Sequence, residues 1–369
     1  MTTTDHASPA RVVGAEPPAV DTDKLMAFVF RAVDEVGATL NTALVVMGDR
    51  LGYYRVMAAH GPITPGELAE LSDTGEHYAR EWLNAQAAGG YVAYDPASST
   101  YTLPPEQAVA LTDETSPVYL PGFFQIAHGT VRDAPRVLDA ARTGDGLGWH
   151  EHNDDVHTGC ERFFRPGYNA HLVAEWLPAL DGIVDRLRSG ARVADVGCGH
   201  GASTVLMAQA FPASRFTGSD YHRASIETAA QRAEEGAVTD RVSFEVAPAT
   251  AFSGGPFDLV TTFDALHDMG DPIGAARHVF GSLADDGTWM IVEPAAGDAV
   301  EDNLNPVGRA YYGFSTLLCT PSSLAQEVGM ALGTQAGPAR IRDVVTSAGF
   351  SRFRIVAQTP FNNVLEVRK

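Results

Sequence analysis

The chain has 369 residues, 45% hydrophobic and 20% charged, the balance of a soluble globular protein with room for two domains. A formal net charge of −20 argues against a polyanionic partner such as nucleic acid, and no apolar run approaches the roughly 18 residues a membrane span needs. Three cysteines, Cys160, Cys198 and Cys319, are far apart and odd in number, which gives no disulfide framework and fits a cytoplasmic location.

Residues 1–20 lack the apolar core of a signal peptide and read as a disordered tail. From Asp21 to Gly52, apolar residues recur at helical spacing, with Leu25, Phe28, Val29, Val33, Val36, Leu40, Leu44 and Met47 on one broad face. Three short helices follow. "YYRVMAAHG" stops at Gly61 and Pro62. "TPGELAELSD" has Thr64 as N-cap and Pro65 at its first position, and "TGEHYAREWLNAQAAGG" closes on Gly89 and Gly90. "YVAYDPASSTYTL" then reads as two β-rich runs around a Pro/Ser turn. Helix, helix, helix, hairpin is the order of a winged helix, here over 21–115.

A DNA-reading winged helix needs cations for the phosphates. Residues 1–110 carry six Lys+Arg against fourteen Asp+Glu, and the third helix offers Arg80 against Glu76 and Glu81. A docking or dimerisation domain is the better reading, with the long first helix as a homodimer interface.

Residues 116–188 read as a helical linker and active-site lid. Within it, "WHEHNDDVHTGC" (149–160) holds the donor types of a transition-metal site. His150 and His152 share a face only in an extended chain, and the i,i+4 spacing of a helical zinc site falls to His157 and Glu161 alone. A solvated or lid loop whose histidines touch substrate or nothing is expected instead of a metal centre, with His150 as the one placed in the substrate pocket.

The chemistry is expected in 189–369. "RVADV" is a short apolar strand. Gly197, Gly199 and Gly201 then form a tight turn where backbone can approach a ligand, and "ASTVLMAQAF" opens a helix with its amides facing that ligand. "RFTGSDYH" is a second strand ending in Asp220, a carboxylate able to accept from both ribose hydroxyls of a nucleoside. "GCGHGA" also satisfies the dinucleotide fingerprint, so a nicotinamide enzyme is a rival. Three features oppose it. Asp195, just before the glycines, suits a cationic amino group better than a pyrophosphate. The unit starts near residue 190, after an accessory domain. The chain ends in two β-rich runs joined at Thr359–Pro360, a hairpin at a sheet edge.

On "DVGCGHGAST", "GSDYH", "PFDLVTTFDALHDMGDP", "GTWMIVEP" and the terminal hairpin, the chain resembles class I S-adenosylmethionine-dependent methyltransferases, in particular bacterial members with an N-terminal winged helix. The resemblance implies a Rossmann-like α/β sheet of seven strands behind a mostly helical winged-helix domain. It implies that Asp195 and the glycines hold the methionine part of S-adenosylmethionine, that Asp220 and Tyr221 hold the ribose, and that Phe263 and Asp264 belong to the cofactor set. S-adenosylhomocysteine would be the product. Many members have an acidic residue after strand three for the adenine amino group; here "EVAPATAF" leaves backbone or Thr250.

"FDALHDM" also looks like the "HDW" loop of plant-type O-methyltransferases, with Met269 replacing the tryptophan. That resemblance makes His267 a general base, with an ordinary pKa near 6.5 suited to the task, and Glu293 in "IVEP" its orienter. Phe163, Phe164 and Tyr168 would cover the cofactor, with Arg165 near its carboxylate. Phe163, Phe164, Tyr311, Tyr312 and Phe314 would wall a pocket for an apolar or aromatic acceptor of moderate size. O-methylation of a hydroxylated natural product leads, with N- or C-methylation on the same fold as the alternative. A ligand-sensing winged-helix regulator with a retained nucleoside pocket is the rival of a different class.

Overall fold

The structure, a computed structural model, describes residues 19–369; the tail expected over 1–20 falls outside the described residues for 1–18. The N-terminal part is α1 (Thr22–Arg50), α2 (Tyr53–His60), α3 (Pro65–Leu71) and α4 (Glu76–Ala88), then the antiparallel pair β1 (Ala93–Asp95) and β2 (Thr100–Thr102), and α5 (Pro105–Thr112). Thr64 and Glu67 form a reciprocal capping box at the start of α3, with Pro65 at the first position. Tyr53, Tyr54, Met57, Leu68, Trp82 and Leu83 centre the small core. Trp82 stands between Tyr53 and Tyr54, ring centroids 4.9 and 5.0 Å away, and its Nε1–H donates to Leu44 O at 2.9 Å. Thus α4, the helix a DNA-reading winged helix would present, puts Trp82 and Leu83 into its own core and leaves Tyr78 exposed.

Two helices bridge the halves: α6 (Pro121–Thr143) and α7 (Asp154–His171). They cross at backbone contact. A Cβ built on Gly122 would lie 2.5 Å from Phe163 N, and one on Gly159 would lie 2.7 Å from Ile126 N. At the far end, α7 runs into a wider-wound π turn, Leu172–Trp176. Asp155 of α7 is tied back by Arg50 of α1 and by Arg132 and Gln125 of α6, the latter two at 3.3 and 3.0 Å. Arg162 reaches Asp49 at 2.8 Å.

After α8 (Ile183–Ser189) comes the large sheet. Its strands are β3 (Arg192–Val196), β4 (Arg215–Asp220), β5 (Val242–Val246), β6 (Phe257–Phe263), β7 (Leu283–Pro294), β8 (Arg352–Gln358) and β9 (Asn362–Arg368). Their order is β5-β4-β3-β6-β7-β9-β8; β3 to β7 run parallel, while β9 is antiparallel to both β7 and β8. The inner strands β3, β6 and β9 are buried on both faces because helices cover both, while the edge strands β5 and β8 are partly exposed. On the covering layers are α9 (Ala202–Ala210), α10 (Arg223–Glu235), α11 (Pro272–Ser282) and α14 (Gly337–Ser347). An insertion after β7 carries α12 (Pro306–Phe314) and α13 (Thr320–Leu324), joined by a second π turn. The expected α/β architecture of seven strands with a helical winged-helix domain is the one found. No helix among the described residues is long and apolar enough to cross a membrane.

Candidate active site

A cavity of about 220 Å³ opens over the carboxyl ends of β3, β4 and β6, with α6, α7 and the insertion as its roof and far wall. Ligands bind at this edge of open α/β sheets because the connections diverge there. Of the residues expected from sequence, Gly197, Gly199, Asp220, Tyr221, Phe263, Asp264, His267, Phe163, Phe164, Tyr168, Tyr311 and Phe314 line it.

The glycine turn is pinned to the neighbouring strand: the N–H groups of Gly197 and Cys198 both donate to Ser219 O, at 2.8 and 3.0 Å. Gly197 takes φ +74°, and a Cβ there would sit 3.0 Å from the Cβ of Ala265. Only glycine allows both the left-handed backbone and that approach. Asp220 holds Gly199 N–H on one oxygen, at 3.0 Å, and His222 N–H on the other, at 2.8 Å. This orients the carboxylate and leaves lone pairs free for a diol. Burial raises its pKa.

His267 lies on a short 3₁₀ turn after β6 and Glu293 near the end of the adjacent β7, so parallel pairing brings the two together. Nδ1 of His267 is 2.6 Å from Glu293 Oε2, and Glu293 Oε1 accepts Leu266 N–H at 2.9 Å. Both side chains are buried. Burial pulls the imidazole down, but the Glu293 carboxylate, with Cys319 beside the ring, outweighs it and holds His267 well above its ordinary value. Asp268, next in the chain, is pushed up to about 7 by burial. The insertion clamps this loop: Ser323 Oγ donates to Met269 O at 2.8 Å and Gln326 Nε2 to Asp268 O at 3.0 Å.

Several expected positions lie elsewhere. Asp195 is buried behind the turn, outside the cavity lining, and accepts from the hydroxyls of Ser203, Thr204 and Thr261 at 2.7, 2.5 and 2.8 Å. Its carboxylate organises the turn from behind. Gly201 likewise sits off the lining: it caps α9, and a Cβ there would meet Ala229 and Phe244 at 2.9 Å. Arg165 turns out of the cavity to Glu161 and Glu114, at 2.9 and 3.1 Å. Thr250 is exposed past the end of β5, and Ala247 and Ala249 line the cavity in its place. Tyr312 is one helical position past Tyr311, 100° around α12, and misses the cavity. Glu293 stands behind His267 and touches the cavity only through it.

The 149–160 stretch folds into a 3₁₀ turn and the start of α7 rather than a loop. His150 is exposed at its turn, edge-on to Tyr221 at 6.1 Å, while Trp149 beside it faces the cavity. His152 is buried against Asp133 at 3.0 Å. His157 enters the cavity wall, its Nε2 2.9 Å from Trp149 O and its ring 4.8 Å from that of His222. Among the described residues no group of three or more His, Cys, Asp or Glu side chains is placed to hold a metal ion. The sequence reading missed Trp149, His157, Cys319 and Phe123 as lining residues; the i,i+4 step from His157 to Glu161, which both line the cavity, was the available signal.

S-adenosylmethionine fits these residues. A glycine turn stripped of Cβ atoms meets a ligand's backbone-side face, Asp220 has free acceptor capacity for a ribose, and Asp264 Oδ2 is a buried carboxylate oxygen with no hydrogen-bond partner. Fold and nucleoside end together define a class I methyltransferase domain.

Comparison with known proteins agrees. Residues 187–327 match the family model described as a methyltransferase domain, and residues 39–113 match that of an Rv2258c-like winged HTH domain. The chain therefore carries an S-adenosylmethionine-dependent methyltransferase domain behind an Rv2258c-like winged helix. It is 34% identical over 131 residues to 27-O-demethylrifamycin SV methyltransferase of Amycolatopsis mediterranei, covering 33% of this chain and 48% of that protein. The match thus spans about half the length of that relative. The mitomycin 7-O-methyltransferase structure superposes with TM-score 0.68 at 18% identity, over 95% of this chain and 100% of that one. Human N-acetylserotonin methyltransferase in complex with S-adenosylmethionine gives TM-score 0.67 at 16% identity, over 96% and 99%. At such identities these structures speak for the fold.

Proposed function

We propose that the protein transfers a methyl group from S-adenosylmethionine to a hydroxyl of a small, apolar or aromatic natural product, with His267 as general base. The observation that carries the reading is the buried His267–Glu293 pair, facing the same cavity as the glycine turn. The relatives' names support the choice of oxygen, since the rifamycin and mitomycin enzymes are both named for O-methylation.

The cofactor supplies an electrophilic methyl group; the protein's task is alignment, dryness and removal of one proton. Glu293 engages Nδ1, which fixes the ring and leaves Nε2 to accept the acceptor's hydroxyl proton. The carboxylate then stabilises the imidazolium that forms. Phe123, Phe163 and Phe314 stack over one wall, with centroid separations of 4.6 and 5.5 Å about Phe123, and give an aromatic acceptor an apolar surface. Asp220 and the glycine turn place the nucleoside, and Tyr168 and Phe164 of α7 close over it.

The same reading includes a homodimer. On α1, Phe28, Phe30, Val33, Val36 and Leu40 are between 61% and 68% exposed, an apolar stripe that an isolated chain would leave in water.

The test is His267→Ala. Its kcat should fall roughly 10²–10⁴-fold on any hydroxylated acceptor that the wild type turns over, with S-adenosylhomocysteine affinity by calorimetry nearly unchanged. A matching loss of affinity would move His267 into the cofactor site. Wild-type binding of NADH in place of the sulfur nucleosides would overturn the reading altogether.

A further inference from the structure

Resting on the methyltransferase reading above, we infer that Asp264 is the receptor for the α-ammonium of the bound cofactor, the role that sequence assigns to Asp195. Asp195 is poorly placed for it, since three hydroxyls take three of its roughly four acceptor sites and it lies outside the cavity lining.

The sheet order fixes where the ammonium must fall. The ribose carboxylate, Asp220, ends β4; the glycine turn ends β3; Asp264 follows β6, on the opposite side of β3 from β4. A nucleoside whose ribose sits at β4 and whose tail crosses the glycines therefore arrives at β6. Two strand spacings are about 10 Å, which a ribose, a sulfur and a short amino-acid chain can span. The close approach of Gly197 to Ala265 holds residue 264 against the first glycine, at that end of the cavity.

Asp264 is also built for a ligand. It adopts φ +48°, a left-handed backbone that few side chains take, held by Asp264 N–H donating to Val292 O at 2.7 Å and by Asn362 Nδ2 donating to Oδ1 at 2.8 Å. Oδ2 is shut off from solvent without a partner. A buried carboxylate oxygen left unpaired is costly, and a cation satisfies it. The neighbouring acids are committed: Glu161 to Arg165 and Arg232, both at 2.9 Å, and Glu293 to His267. Asp268 also lines the cavity, with His267 and Glu293 as the charges that act on it most. Tyr168, its ring 5.1 Å from that of Phe263, adds an aromatic wall beside the cation.

The experiment measures calorimetric affinities for S-adenosylhomocysteine and for its deaminated analogue, which keeps the carboxylate and lacks the amine. Wild type should prefer the amine-bearing ligand by about ten- to hundredfold, the range of a hydrogen bond to a charged group. Asp264→Asn, which keeps the shape, and Asp264→Gly, which suits the left-handed backbone, should each cut that preference to about threefold or less. A preference that persists in both folded variants overturns the inference, as does an equal loss for the two ligands. If wild type binds the two ligands equally, the methyltransferase reading stands and this one falls. If wild type binds neither, the methyltransferase reading itself fails.

Discussion

Replacing Glu293 by glutamine tests the His267 pair without emptying the site. The glutamine amide fills the same space and can still accept from one of the two N–H groups that Glu293 now holds, Leu266 N–H at 2.9 Å or the imidazole at 2.6 Å. What is lost is the charge. A hydrogen bond to a charged group contributes about 1.5–3 kcal/mol and a neutral one about 0.5–1.5, so the imidazolium loses roughly 1–2 kcal/mol of support, about one pKa unit. The direction follows from the environment. Burial pulls His267 down and Glu293, with Cys319, outweighs it; without the carboxylate the downward pull meets weaker opposition. A base works unprotonated, so activity is lost as pH falls through the imidazole's value. The wild-type acid limb should lie above about 6.5, the ordinary histidine value, and the variant's limb should move down by about one unit. NMR titration of ¹⁵N-histidine-labelled protein reads the shift directly and needs no acceptor. A His267 resonance that titrates at the same or higher pH in Glu293→Gln would refute the pairing argument.

Two further outcomes are expected. Trp82→Ala removes a fully buried indole wedged between two tyrosines and bonded to Leu44 O, and should destabilise the N-terminal core by about 3–5 kcal/mol, read from urea midpoints. The double change Val36→Asp with Leu40→Asp sets charges in the exposed stripe of α1; wild type should sediment at twice the chain mass and the variant at the chain mass, with a melting temperature that no longer rises with protein concentration. An unaltered sedimentation coefficient would remove α1 from any interface.

Most of the catalytic half was legible because its signals are local. The strand–glycine–helix run at 192–210 and the acid at the end of β4 are contiguous patterns, and they fold as their spacing implies. The pairing of His267 with Glu293 was legible only through the resemblance to the "HDW" loop; the structure brings the two together because they sit at the ends of parallel neighbouring strands. What failed was side-chain direction. Asp195 was assigned outward from its place before the glycines, but Thr261 on the paired strand and two hydroxyls on α9 draw it in. Arg165 was lost to Glu114, a residue 51 positions away, and no local pattern encodes that. Tyr312 and His150 missed by a single position, since one residue on a helix or 3₁₀ turn decides which of two neighbours faces a cavity. The winged helix was legible in element order, whereas the backbone contact of α6 with α7 depends on glycines that mean nothing until the helices are seen to cross.

That contact sets how the molecule can admit its substrates. Helices touching through Gly122 and Gly159 cannot slide past one another without main chain meeting main chain, so the roof resists shear. Its margins are the 144–148 segment between the two helices, docked on α13 through Leu147 N–H donating to Pro321 O at 3.0 Å, and the π turn where α7 ends. Lifting α7 from the cavity would have to break the cluster of Arg50, Arg132 and Gln125 on Asp155. Through Arg50, α1 of the N-terminal domain shares in that restraint, so the two halves of the chain meet in one ion cluster at the edge of the roof.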